Sequence, residues 1–347
     1  MINEIFLNGL LFILAIGLYI ILPGYIILTS FGRKGDILDS FFIGISLYFT
    51  STILISIFTN SHTTYRLVYP LVLFIIIVII SGVTKWHWVM ELRRCKDYLR
   101  SFHTSFSRDR FTYLSILGIL VIIMIPYRIT HNFHYDDTLH LAYLSDYLRS
   151  GEIFPHINSY YKVLLEWGDR SFRINDYSFF VVLYTFPTLF FNVDFTIAYY
   201  LWGGILFIVL LLLFDRFVDQ FISHSVVIKI IFILSFLFWH HNNPLNFGGY
   251  PLDVAKIIFY SGIYYLLKYL DGADIINLLL SIVLLNLSWA IHLNLLITFL
   301  FLLPLVSLIF YIGYREKRKL ILRYSLGLMS YSSGLVLLLI LGTEFIY

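Results

Sequence analysis

The sequence predicts an all-α membrane protein of about ten transmembrane helices, with an amphipathic surface helix in a large outer loop. Three observations predict it. Apolar runs of about 17 to 25 residues recur from end to end, the length that crosses about 30 Å of hydrocarbon. Hydrophobic residues make up 59% of the 347 and charged residues 13%, against about 25% charged in an ordinary soluble domain. Aromatics reach 19% and gather near the ends of the runs, where amphipathic rings favour the headgroup layer.

The first run spans Ile5 to Leu28, interrupted by Pro23-Gly24, and a short turn with Arg33 and Lys34 follows. The N-terminus lacks the basic region and small-residue site of a removable leader, so this helix reads as retained. The second run is Phe41 to Phe58, then a polar turn holding Asn60, Ser61, His62 and Thr63, then a third run from Leu67 to Val83. Next comes a basic stretch, Lys85 to Arg110, with seven Lys and Arg against three acids. The positive-inside rule makes it cytoplasmic, and counting back puts the Arg33-Lys34 turn on the same side and the N-terminus outside.

The fourth run, Phe111 to Tyr127, leads outward to the longest polar segment, residues 128–177. Further runs cover Phe195 to Phe214, Val226 to Trp239, Val254 to Leu270, Ile275 to Ala290 and Leu293 to Ile312. A second basic turn, Arg315 to Lys319, precedes the last run, Leu326 to Leu341. Two cytoplasmic anchors require an even number of crossings between them. The stretch Ser178 to Phe191 would break that parity; it is short and contains Pro187, so it is expected to lie at the interface or to re-enter. Asp215 and Arg216 are expected to open a structural cytoplasmic turn.

With no repeat or linker, residues 1–347 read as one polytopic membrane domain. Residues 1–110 form an N-terminal three-helix segment with its cytoplasmic loop, and 111–347 a core. A net charge of +3, with basic residues confined to short loops, is no nucleic-acid signature. The single cysteine, Cys95, rules out an internal disulfide. No phosphate-cradling glycine loop, nucleophile elbow or zinc-protease helix is present, which argues against an ATP-driven pump.

The densest polar cluster is His131-Asn132-Phe133-His134-Tyr135-Asp136-Asp137-Thr138-Leu139-His140, and an amphipathic helix is predicted after it. Leu141, Leu144 and Leu148 share one face with Tyr143 and Tyr147 beside it, and Ser150-Gly151 is a stop with glycine at the C-cap. The acidic pair then sits at a helix N-terminus, where free N–H groups and the dipole favour carboxylates, with His140 one turn on. Two readings stand. One aspartate caps the helix and the histidines are solvated; or the cluster is an acid–base or metal site. In the second, Asp136 or Asp137 accepts a proton from an attacking hydroxyl. Asp137, His140 and His134 are then the candidate ligands of a divalent cation.

The segment His240 to Asp253 is either a connector or a wall of an outward cleft. Lys256, just inside the next helix, could face a phosphate or snorkel to headgroups. His292 marks a helix boundary or a cavity. Arg173 lies on the large outer loop with other basic residues that could meet a phosphate.

At these residues the chain resembles the GT-C class of integral membrane glycosyltransferases, which includes bacterial arabinofuranosyl- and mannosyltransferases. Their hallmark is an acidic pair or single Asp in the first large outer loop, followed by a short amphipathic helix along the membrane. Asp136-Asp137-Thr138-Leu139-His140-Leu141-Ala142-Tyr143-Leu144 matches it. Leu148-Arg149-Ser150-Gly151-Glu152 resembles the end of that helix. Leu22-Pro23-Gly24-Tyr25 and Phe247-Gly248-Gly249-Tyr250-Pro251 are similar to segments of multi-spanning bacterial relatives. In many members the acidic loop follows the first helix; here it follows the fourth.

The resemblance implies a multi-pass protein of the cell membrane with a GT-C-like core. It would take a sugar from a polyprenyl-phosphate donor and pass it to a hydroxyl of a cell-envelope glycan or protein. Asp136 or Asp137 would act as base, with His140 beside them. His292, Lys256, Arg173 or a divalent metal cation would meet the departing phosphate. Two rivals remain: a carrier or flippase for a lipid-linked glycan, which needs polar residues along a path through the membrane, and a non-catalytic membrane partner.

Overall fold

A computed structural model describes residues 2–33, 36–56, 58–83, 135–153, 178–221, 251–291 and 315–345, with a few isolated residues between 227 and 312. The described residues are all-α. They form nine helices, of which four are long and apolar enough to cross a membrane. The expected run Phe111 to Tyr127, most of Val226 to Trp239 and of Leu293 to Ile312, and the basic stretch from Lys85 to Arg110 with Cys95 lie outside the described residues.

Helix α1 comprises Ile2–Ile16, a π-helical turn at Gly17–Ile21, and Leu22–Ser30. The π turn sits just ahead of Pro23, whose ring would clash in a regular helix. Pro23 cannot donate to the carbonyl of Tyr19 four residues back; Tyr69 Oη donates to it instead, at 3.3 Å. The helix ends at Gly32, whose φ of 73° turns the chain back so that its N–H reaches Thr29 O at 2.9 Å.

Helix α2, Ile37–Ser56, starts where the Asp36 carboxylate accepts from the N–H of Leu38 at 2.8 Å. It is mostly buried and crosses α1 at very short range. A Cβ on Gly24 would run into the Ser40 carbonyl, and one on Gly44 into the Ile20 carbonyl. Small residues permit such approach between apolar helices that gain little from hydrophobic burial against each other.

Helix α3, His62–Val83, begins five residues before the predicted run, so His62 and Thr63 belong to a helix and not to a turn. The sequence reading stopped at its polar first turn; packing of His62 and Tyr65 into the core explains the extension. Its other face exposes Leu67, Leu71, Phe74, Val78 and Ile79 at helical spacing, a stripe that suits hydrocarbon.

Helix α4 is Tyr135–Ser150 and α5 is Ser178–Phe191. At 14 residues, α5 is about 21 Å long, too short to span. Of the two expected placements, at the interface or re-entrant, burial fits the second: residues 180–186 are wholly enclosed by the bundle. Asn192, with φ of 55°, ends it, and Asp194 then caps α6, Phe195–Phe221, accepting from Thr196 N at 2.9 Å and Ile197 N at 3.0 Å. Asp215 and Arg216 do not open a turn. The helix continues seven residues past the apolar run, because Arg216 finds carboxylates on α2.

Helices α7, Pro251–Gly272, and α8, Ile275–Ile291, form a tight antiparallel hairpin turned at Ala273, φ 54°. Ser281 Oγ donates to the Gly262 carbonyl at 2.8 Å, and a Cβ on Gly262 would meet Leu285. A 3₁₀ turn at Arg315–Lys317 leads into α9, Arg318–Phe345, which packs on α8. There Asn286, fully buried, accepts from Trp289 Nε1 at 3.1 Å and from Ser332 Oγ of α9 at 2.8 Å.

Candidate functional site

Two polar regions lie at opposite ends of the bundle. One is ionic. Arg216 pairs with Asp36 and, at 3.1 Å, with Asp39; Tyr265 Oη donates to Asp39 at 2.6 Å; Arg33 pairs with Asp274 and reaches Asn277 Oδ1 at 3.3 Å. Lys268 lies over the rings of Tyr264 and Tyr265. Five helices meet here through groups that satisfy one another. Burial pushes the Asp36 carboxyl up, but the hydrogen bond and charge of Arg216 and the N–H groups of Leu38 and Asp39 bring it below the usual carboxylate range. Among the described residues named here, three cations face three carboxylates.

The other end carries the acidic helix. Asp136 and Asp137 are the second and third residues of α4, and His140 lies one turn further on. Their side chains lie outside the described residues, as do His134, Arg173 and His292 entirely. The apolar face of α4 is where the sequence put it: Leu144 and Tyr147 are buried, with Leu141 and Leu148 packed against the core, and Ala142 and Arg149 exposed. That face rests on α5 and α6. Gly151, with φ of 71°, ends the helix as predicted, and the Ser150 hydroxyl caps it, donating to Tyr147 O at 2.7 Å.

The chain then pairs with the α2–α3 turn. His62 N donates to Gly151 O and Ile153 N to Asn60 O, both at 2.7 Å, with Ser61 opposite Glu152. Beneath this junction the His62 and Tyr147 rings meet at 4.6 Å. Deeper still, Tyr65 and Thr52 hydroxyls are 2.7 Å apart, and Tyr48 Oη donates to the Val182 carbonyl of α5 at 3.0 Å. Tyr19, Tyr69, Phe186 and Phe190 close the layer.

Lys256 is half-buried on α7, one turn beyond the buried Asp253. With Asp274 at the ionic end, the 22 residues of α7, about 33 Å, carry Asp253 and Lys256 towards the other end. The same reasoning takes Ile291, the neighbour of His292, there along α8. The α4 helix and α7 both pack on α6, which is therefore the element shared by the acidic pair and Lys256. Among the described residues, no three His, Cys, Asp or Glu side chains group to hold a metal.

Sequence reading missed both the ionic network and the aromatic–hydroxyl layer. The first had a signal in the aspartates and arginines at helix ends; the second had none, since tyrosines at such spacing read as ordinary core. No family model, curated protein or solved structure matches the chain.

Proposed function

We propose that this chain is a multi-pass glycosyltransferase of the cell membrane, with about ten crossings and a GT-C-like core. It moves a sugar from a polyprenyl-phosphate donor to an acceptor hydroxyl at the outer face. The observation that carries the reading is Asp136-Asp137 in the first turn of a helix whose apolar face is seated on a bundle with membrane-length apolar helices. In this reading one carboxylate takes the proton of the acceptor hydroxyl, whose oxygen attacks the anomeric carbon. The bond from that carbon to the lipid phosphate breaks, and the phosphate leaves carrying the electron pair. Lys256 is the described cation that could meet it, with His292 and Arg173 as sequence candidates.

The buried polar residues speak against a carrier. Thr185, Ser261, Ser281 and Ser288 donate to helix carbonyls, and Asn286 is saturated by Trp289 and Ser332. These particular groups serve helix packing rather than a polar path. The test is incubation of purified protein with a labelled polyprenyl-phosphate sugar and an envelope-glycan acceptor. Transfer by the parent chain and its loss in Asp137→Asn is expected. Full transfer by a normally inserted Asp137→Asn protein removes the assignment.

A further inference from the structure

We infer that His62 and Tyr147 form a latch by which the N-terminal helices hold α4 in register, making them positioning residues for the acidic pair. The inference deepens the glycosyltransferase reading by naming what fixes its base. Helix α4 has two attachments. Its apolar face lies on α5 and α6 through Leu144, and alone this would let the helix slide or rock along a smooth surface. The second attachment is directional. Gly151 reverses the chain, and the two 2.7 Å backbone bonds tie residues 151–153 to the α2–α3 turn. Directly under that tie the imidazole of His62, 6% exposed, meets the ring of Tyr147, 1% exposed, at an angle of 53°.

The His62 ring fills this place without using all its polar capacity: Nε2 is buried with no hydrogen-bond partner among the described residues. The imidazole therefore serves the junction twice, as a flat ring against the Tyr147 ring and through its hydrogen bond to the Glu152 backbone. Tyr147 stands ten residues beyond Asp137 on one uninterrupted helix, so a shift at the latch moves the acidic turn by the same amount. The N-terminal three-helix segment thereby acquires a role: the turn between α2 and α3 is the seat of α4.

The test reads docking directly. In a Cys95→Ser background, which removes the only cysteine, Ser145→Cys places a near-isosteric thiol on half-buried α4. Its rate of reaction with a membrane-impermeant maleimide is measured in native membranes. Adding His62→Ala should raise the rate roughly five- to tenfold, the loss expected for one aromatic contact. His62→Phe keeps the ring but loses the bond to the Glu152 backbone, and should label more slowly than His62→Ala. If His62→Ala labels at the parent rate, or His62→Phe labels as fast as His62→Ala, the latch is overturned. Should His62→Ala fail to insert, Tyr147→Ala breaks the same contact from the other side, and an unchanged rate there also overturns it. In an active preparation, His62→Ala should lower kcat with KM for the lipid donor unchanged, and His62→Phe should restore it in part. Absence of transfer by the parent would remove the glycosyltransferase reading while leaving the labelling result standing.

Discussion

At one end of the bundle Arg33, Asp36, Asp39, Arg216 and Asp274 draw helix ends together by full charges, each with a partner. At the other, His62, Tyr65, Thr52 and Tyr48 form a neutral layer of rings and hydroxyls under α4, and His62 Nε2 has no hydrogen-bond partner among the described residues. The contrast is one of energetic cost. Paired charges are costly to break. A neutral layer costs less to bury than charge does.

The comparison can be broken or sharpened by experiment. The largest expected effect is at the acidic helix: Asp137→Asn should abolish sugar transfer, by at least about a hundredfold, with insertion and thermal stability unchanged. A variant that also unfolds would show that the acidic turn is structural like the ionic end.

Next is the ionic end itself. Arg216→Ala leaves two carboxylates facing each other and should cost about 2 kcal/mol, discounted because the groups are partly solvated. It should appear as a lowered unfolding temperature in detergent with specific activity of the folded fraction retained. Partial rescue by Arg216→Lys would identify charge as the cause. The Gly24→Ala variant sets a Cβ against the Ser40 carbonyl and should cost about 1–3 kcal/mol by forcing α1 and α2 apart; an unchanged midpoint would show that the crossing can relax. Tyr65→Phe removes the Thr52 bond and should cost about 1 kcal/mol.

The smallest effect is titration. The Asp36 carboxyl is held below its unfolded value, so its contribution is complete above about 3.9 and is lost as pH falls through the folded value. Stability in detergent should therefore decline at acid pH, and Asp36→Asn should flatten that part of the curve.

Much of this was legible in the residues. The amphipathic face of α4 followed from leucines three and four apart, and its end from Gly151, since glycine alone turns left-handed without strain. Ser178 to Phe191 reads from sequence as interfacial or re-entrant, and the structure encloses it in the bundle. Length and Pro187 showed that it does not span, but nothing local distinguishes a helix on the lipid surface from one enclosed by others, because both are apolar all round. The polar starts of α3 and the polar end of α6 were misread for the converse reason. Local polarity marks a boundary only when the polar groups meet water, and here His62 and Arg216 meet other helices.

Local sequence was enough to find four helices long and apolar enough to cross a membrane, and to place two aspartates at the start of an amphipathic helix. Which helices are central, that α5 is enclosed, and that His62 meets Tyr147, 85 positions further along the chain, came from the packing in three dimensions. The reason is one of range. Hydropathy and capping act within a few residues of the chain, whereas charge pairing and ring contact act across space and are indifferent to separation in sequence.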